Sequence, residues 1–186
     1  DEKTGKPLIE LILDKAGQKG TGRWSAIAAQ ELAVPATAIE GAVAARSISA
    51  LKDERVAAEG IYGKRQGGKA DISLADLEKA LLAGKLISYA QGFAVMAKAS
   101  EENGWNLPMP TIAKIWRAGC IIRSQMLDTM AEAFSSGGAS TNLLMAPAFI
   151  RLMQEAHPSL RRIVARACEA GAPVPALSSA LAYFDS

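Results

Sequence analysis

Apolar positions along the chain recur at spacings of three and four residues, and strict alternation of apolar with polar positions is nearly absent. The clearest case runs from Leu74 to Ala99, where Leu74, Leu77, Leu81, Leu82, Ile87, Ala90 and Val95 mark one side of a helix that the Asn103-Gly104 pair ends. The same spacing predicts a short helix over Pro7 to Asp14, another from Trp24 to Leu32, and a third that Pro35 opens and that runs to about Leu51. Pro110 to Phe134 carries two helical pieces with a bend near Gly119. Asn142 to His157, Pro158 to Glu169 and Val174 to Phe184 are the last helices. Between them lie a glycine-rich turn (Ala16 to Gly22), a charged stretch (Lys52 to Arg55), an exposed Gly/Lys-rich excursion (Gly60 to Lys69) and a small-residue loop (Ser135 to Ser140). Roughly a fifth of the residues are alanine, and β-branched runs are scarce. The expectation is an all-α, multi-helix bundle forming one domain over residues 1–186. No alternation of strand and helix is present to build a dinucleotide-binding sheet. Pro35…Arg46-Ser47…Leu51 and Pro110…Arg123-Ser124…Leu127 echo one another, which suggests a duplicated helical unit as readily as shared helical composition.

Composition narrows the function classes. Of the 186 residues, 49% are apolar and 22% charged, so a packed core is within reach and disorder is not indicated. The formal net charge of +2 gives no broad electrostatic footprint for nucleic acid or an anionic membrane. No apolar run is expected to reach the ~18 residues of a membrane span. Cys120 and Cys168 fit neither a disulfide framework nor a zinc site, and a single histidine, His157, removes most metal sites and Ser-His triads. Without a secretory or transit signal the default compartment is the cytoplasm. The chain opens at Asp1 rather than at methionine, which points to a processed chain or a piece of a longer one.

The candidate chemistry concentrates in Gly17-Gln18-Lys19-Gly20-Thr21-Gly22-Arg23-Trp24. Three glycines permit a tight turn and close backbone approach, and a helix starts directly afterwards. Helix-start amides beside a lysine and a hydroxyl suit an anion such as phosphate. The turn is not a P-loop, because the Gly-Lys-Ser/Thr ending and a leading strand are both missing. A plain loop, with Thr21 as N-cap and Lys19 in solvent, explains the same residues. Arg46 lies in an apolar, small-residue helical context, where a guanidinium needs a partner: an internal carboxylate, or an anionic ligand at a cleft. Arg123 raises the same question and is read as structural. His157 is read as a cap or surface residue, both thiols as core residues, and Trp24, Trp105 and Trp116 as packing anchors.

Beyond these readings, Ala16-Gly-Gln-Lys-Gly-Thr-Gly-Arg-Trp24 resembles 6-phosphogluconate dehydrogenase. Val43-Ala-Ala-Arg-Ser-Ile-Ser-Ala-Leu-Lys-Asp-Glu-Arg55, Lys85-Leu-Ile-Ser-Tyr-Ala-Gln-Gly-Phe93, Arg117-Ala-Gly-Cys-Ile-Ile-Arg-Ser124 and Pro173 to Ser186 follow in that family's order. Five ordered matches spanning nearly the whole chain are far more specific than one glycine-rich turn. The resemblance implies the family's helical C-terminal domain, which binds substrate and forms most of a homodimer interface. It also implies the family's pentose phosphate pathway reaction: 6-phosphogluconate is oxidised with NADP to a 3-keto intermediate and decarboxylated to ribulose 5-phosphate. By the same resemblance Lys19 and Arg46 match positions that bind the substrate phosphate, with Thr21 as a nearby hydroxyl donor. No catalytic or metal-binding residue is expected within the 186 residues. The family's Rossmann domain, with its lysine base and glutamate acid, would precede Asp1, and its C-terminal tail would follow Ser186. NADP is therefore expected in the whole enzyme and not held tightly here, and the isolated chain is expected to be inactive. Two rival readings are a non-catalytic helical interaction protein and the helical domain of another hydroxyacid dehydrogenase.

Overall fold

Eight α-helices and two short 3-10 turns, with no strand, make up the described residues (1–63, 71–137 and 142–186) of this computed structural model. In chain order the helices are α1 (Thr21–Glu31), α2 (Thr37–Ala50), α3 (Lys52–Tyr62), α4 (Leu74–Asn103), α5 (Met109–Trp116), α6 (Met126–Ser135), α7 (Pro147–Glu169) and α8 (Pro175–Asp185). The all-α bundle expected from the apolar spacing is the fold the chain adopts. The Lys64-Arg65 excursion and the end of the Ser135 to Ser140 loop lie outside the described residues.

The spine is α4, and its sequence fixes both of its ends. Ser73 caps it by accepting the Asp76 N–H at 3.0 Å, and the Asp76 carboxylate sits at the positive end of the helix. Gly104 ends it in the left-handed conformation at φ 65°, which glycine adopts without cost. Between these ends Ala80, Ala83, Leu86, Ile87, Ala90 and Phe93 are buried at helical spacing. Facing them, α7 buries Phe149, Met153, Ala156, Leu160 and Ile163. Phe93 packs against Trp116 and Phe134, with ring centroids 5.3 and 4.7 Å apart, and this draws α5 and α6 onto the spine. On the other side α8 crosses both α2 and α4. By length and composition α4 is apolar enough to cross a bilayer, contrary to the expectation from the sequence. Half of its apolar window is buried inside the bundle, as a core helix requires.

Several boundaries depart from expectation for physical reasons. Pro7 to Asp14 forms only a 3-10 turn, Leu8–Leu11, that buries nothing, because four residues cannot sustain a helix without a packing partner. The charged stretch beginning at Lys52 is itself helical, as α3, with Asp53 and Glu54 at its positive end. Pro35 precedes α2 rather than opening it, and Ala36 is the N-cap. His157-Pro158 does not divide two helices, since α7 runs through Pro158. Proline there removes the bond to the Gln154 carbonyl, yet Met153, Ala156, Ser159 and Leu160 seat both halves on the core. The two echoing stretches take different backbone shapes: Arg46 lies inside α2, whereas Arg123 lies in the non-helical link between α5 and α6.

Candidate functional site

The glycine-rich turn is strapped along α2. The Ala16 N–H donates to Ser49 Oγ at 3.0 Å, and Gln18 Nε2 donates to Ser47 Oγ at 2.5 Å and to the Val43 carbonyl at 3.2 Å. Arg46 Nε donates to the Gly17 carbonyl at 2.9 Å, and its Nη2 donates to the same oxygen. Val43, Arg46 and Ser47 share one side of α2 through their three- and four-residue spacing. At the far end of the strap Arg55 donates to Asp14 Oδ2 at 2.9 Å, to the Asp14 carbonyl at 2.8 Å and to the Ser49 carbonyl at 3.2 Å. The hydrogen bond from Arg55 holds the Asp14 carboxyl below the usual carboxylate range.

This strap delivers the chain to α1. Gly20 has φ 105°, a backbone shape that glycine tolerates and other residues resist, and it is the N-cap of α1. No side chain among the described residues caps the helix, so the first-turn amides of Thr21, Gly22 and Arg23 have no side-chain acceptor there. A methyl group on Gly22 would stand 3.0 Å from Val43 Cγ2, so glycine is what lets α1 start this close to α2. Lys19, Thr21 and Arg46 are all exposed. The positive end of α1, a lysine, a hydroxyl and a guanidinium therefore meet around one turn, a donor set suited to an oxyanion.

Several side chains depart from expectation. Thr21 does not cap α1; Gly20 holds that position, and the Thr21 carbonyl accepts from Ser25 Oγ at 3.0 Å. Arg46 is neither buried nor paired with a carboxylate among the described residues; its acceptor is a carbonyl. The apolar run around it suggested burial, but its side of α2 faces the turn rather than the bundle. Arg123 is exposed and joins no ion pair among the described residues, while nearby Arg117 pairs with Asp128 at 2.7 Å. His157 lies within α7, stacked on Phe184 at 4.9 Å, with Nδ1 buried and without a partner among the described residues. Cys168 is exposed and Cys120 half-buried, so the thiols are not core residues. Trp24 and Trp105 are exposed, which leaves Trp116 as the packing anchor. Sequence reasoning missed Gln18, Ser47, Ser49 and Arg55 as elements of the site. The available signal was two serines just after Arg46 on a largely apolar helix, followed directly by a charged stretch.

Comparison with known proteins identifies the family. The family model described as 6-phosphogluconate dehydrogenase, C-terminal domain, matches residues 1–186. The NADP(+)-dependent, decarboxylating 6-phosphogluconate dehydrogenase of Bacillus subtilis (strain 168) is 45% identical over 190 residues, covering 100% of this chain and 40% of that protein. The decarboxylating enzyme of Staphylococcus aureus (strain N315) is 46% identical over 183 residues, covering 96% of this chain and 39% of its own length. The chain thus spans about 40% of the length of these curated relatives. Among solved structures, Plasmodium falciparum 6-phosphogluconate dehydrogenase, described in apo form and in complex with NADP+ and with 6-phosphogluconate, superposes with a TM-score of 0.89 at 38% identity. It covers 100% of this chain and 41% of that one.

Proposed function

The chain belongs to the 6-phosphogluconate dehydrogenase family, and from that premise we propose that it is the substrate-anchoring and dimer-forming helical domain of a decarboxylating, NADP-dependent enzyme of that kind. The complete enzyme oxidises 6-phosphogluconate to a 3-keto acid, which loses carbon dioxide to give ribulose 5-phosphate. NADP+ accepts the hydride. Among the described residues no strand leads into the glycine-rich turn, so these residues do not form a dinucleotide cradle, and the reading assigns the coenzyme to other residues.

The role left to this chain is to grip the phosphate end of the substrate. One observation carries it: Arg46 reaches across to Gly17, beside exposed Lys19 and the uncapped start of α1. Arg46 directs Nε and Nη2 at the Gly17 carbonyl, and a phosphate entering the turn would draw on donors of the same guanidinium. Lys19 adds a point charge, and Thr21 and the first-turn amides add donors. Anchoring a group remote from the reacting carbon converts binding energy into orientation, which is how such a site contributes to rate.

The test is a titration of the protein as encoded with inorganic phosphate and with 6-phosphogluconate, followed through the amide resonances of Gly20 to Trp24. Saturable shifts are expected. Arg46→Met should weaken binding by roughly 10- to 100-fold, because hydrogen bonds to charged groups are worth ~1.5–3 kcal/mol. Lys19→Met should weaken it less. A folded wild-type protein whose Gly20 to Trp24 amides do not respond would overturn the assignment.

A further inference from the structure

We propose that Ser49 and Gln18 are positioning residues for the anion site: they bind no phosphate themselves but hold the turn that presents Lys19 and the start of α1. The inference rests on the phosphate-anchoring reading and adds a mechanism to it. Ser49 Oγ takes the Ala16 N–H at 3.0 Å, at the entry to the turn. Gln18, next to Lys19 in sequence, is tied by Nε2 to Ser47 Oγ at 2.5 Å and to the Val43 carbonyl at 3.2 Å. The Ser47 hydroxyl also donates to the Val43 carbonyl at 3.2 Å, so the Gln18 amide meets a partner that is itself held in place.

These contacts matter because of what Arg46 does. Its guanidinium holds the Gly17 carbonyl through two of its nitrogens. An incoming phosphate competes with that carbonyl for the same cation. Were Arg46 the sole tie, binding an anion would loosen the turn that carries Lys19 and thereby weaken the site. The ties at Ala16 and Gln18 flank Gly17 on either side and do not involve Arg46. They keep the turn in place while Arg46 redirects its donors, so the cost of ordering Lys19 and the first-turn amides is met before the ligand arrives. Neither residue needs to touch the anion for this.

The experiment measures the dissociation constant for inorganic phosphate and the urea midpoint on wild type, Ser49→Ala, Ser49→Thr, Gln18→Met and Lys19→Met, in the protein as encoded. Ser49→Ala and Gln18→Met should each raise the dissociation constant about three- to tenfold, the worth of one neutral hydrogen bond, with the urea midpoint nearly unchanged. Ser49→Thr keeps the acceptor oxygen and should restore wild-type affinity. Wild-type affinity in both Ser49→Ala and Gln18→Met, alongside weakened Lys19→Met, would overturn the positioning role and leave the phosphate site standing. Affinity and midpoint falling together, with no rescue by threonine, would overturn it too, since the serine would then serve only the fold. Absence of phosphate binding by wild type would remove the anion site and this inference with it.

Discussion

Gly41 lies where α2 crosses α8, and a methyl group there would stand 2.7 Å from Ser179 Oγ, 3.3 Å from Ser179 Cβ and 3.3 Å from the Pro175 carbonyl. The hydroxyl can rotate away, but the Pro175 carbonyl belongs to the backbone and cannot. Gly41→Ala gains about 1 kcal/mol of helix propensity and incurs about 1–3 kcal/mol of overpacking. The expected result is a net loss on the order of 1 kcal/mol, read as a lower urea midpoint. Ser179→Ala in the Gly41→Ala background should recover part of it by removing the closest atom. A midpoint unchanged or raised in Gly41→Ala would mean that the crossing is looser than these distances. Arg46 teaches a related lesson about single residues. Its neighbours in sequence are apolar and small, yet its side chain is exposed and spent on a carbonyl. Sequence context reports the helix, not the side of it on which a residue sits.

At the scale of elements, Asp76 staples the start of α4 to the middle of α7. Its carboxylate accepts from Ser159 Oγ at 2.7 Å and from the Arg162 guanidinium, and its own N–H donates to Ser73 Oγ. The Arg162 hydrogen bond, then that of Ser159, holds this carboxyl far below the usual carboxylate range despite the opposing cost of desolvation. A carboxyl whose pKa is depressed by folding stabilises the fold above its unfolded value of about 3.9 and loses that contribution as pH falls toward its folded value. Wild type should therefore lose stability between about pH 5 and pH 2, and Asp76→Asn should flatten part of that slope. Identical slopes in urea midpoint against pH for the two proteins would show that the staple is not the titrating element. Elements with both an end signal and a buried face, such as α4, were legible in the sequence to within a few residues. The start of α7 and its passage through Pro158 were not, because the packing of Met153 and Leu160 on α4 overrides a local breaker. The candidate site divides in the same way. Lys19, Thr21 and Arg46 could be named from motifs, whereas the strap through Gln18, Ser47, Ser49 and Arg55 depends on how α2 lies beside the turn.

At the scale of the whole molecule, exposed apolar surface is uneven. The turn at Leu8–Leu11 leaves Leu8, Ile9 and Leu11 exposed, and α3 buries none of its residues while exposing Val56, Ile61 and Tyr62. A helix as amphipathic as α3, with no substantial packing against any other helix among the described residues, gains little from folding unless something covers it. The homodimer we propose would supply that cover by seating a second copy on α3. Isologous pairing lets one apolar patch serve both subunits. Sedimentation at tens of micromolar should therefore give a dimer. Replacing Val56 and Ile61 together by lysine should shift it to monomer, since two pairs of ammonium groups would have to be desolvated against a largely apolar patch. Both side chains are exposed in the single chain, so the helical content of that variant should match wild type by circular dichroism. A wild-type monomer at that concentration would remove the dimer from the reading. A dimer untouched by the two lysines would move the contact away from α3 and leave its apolar face to another occupant.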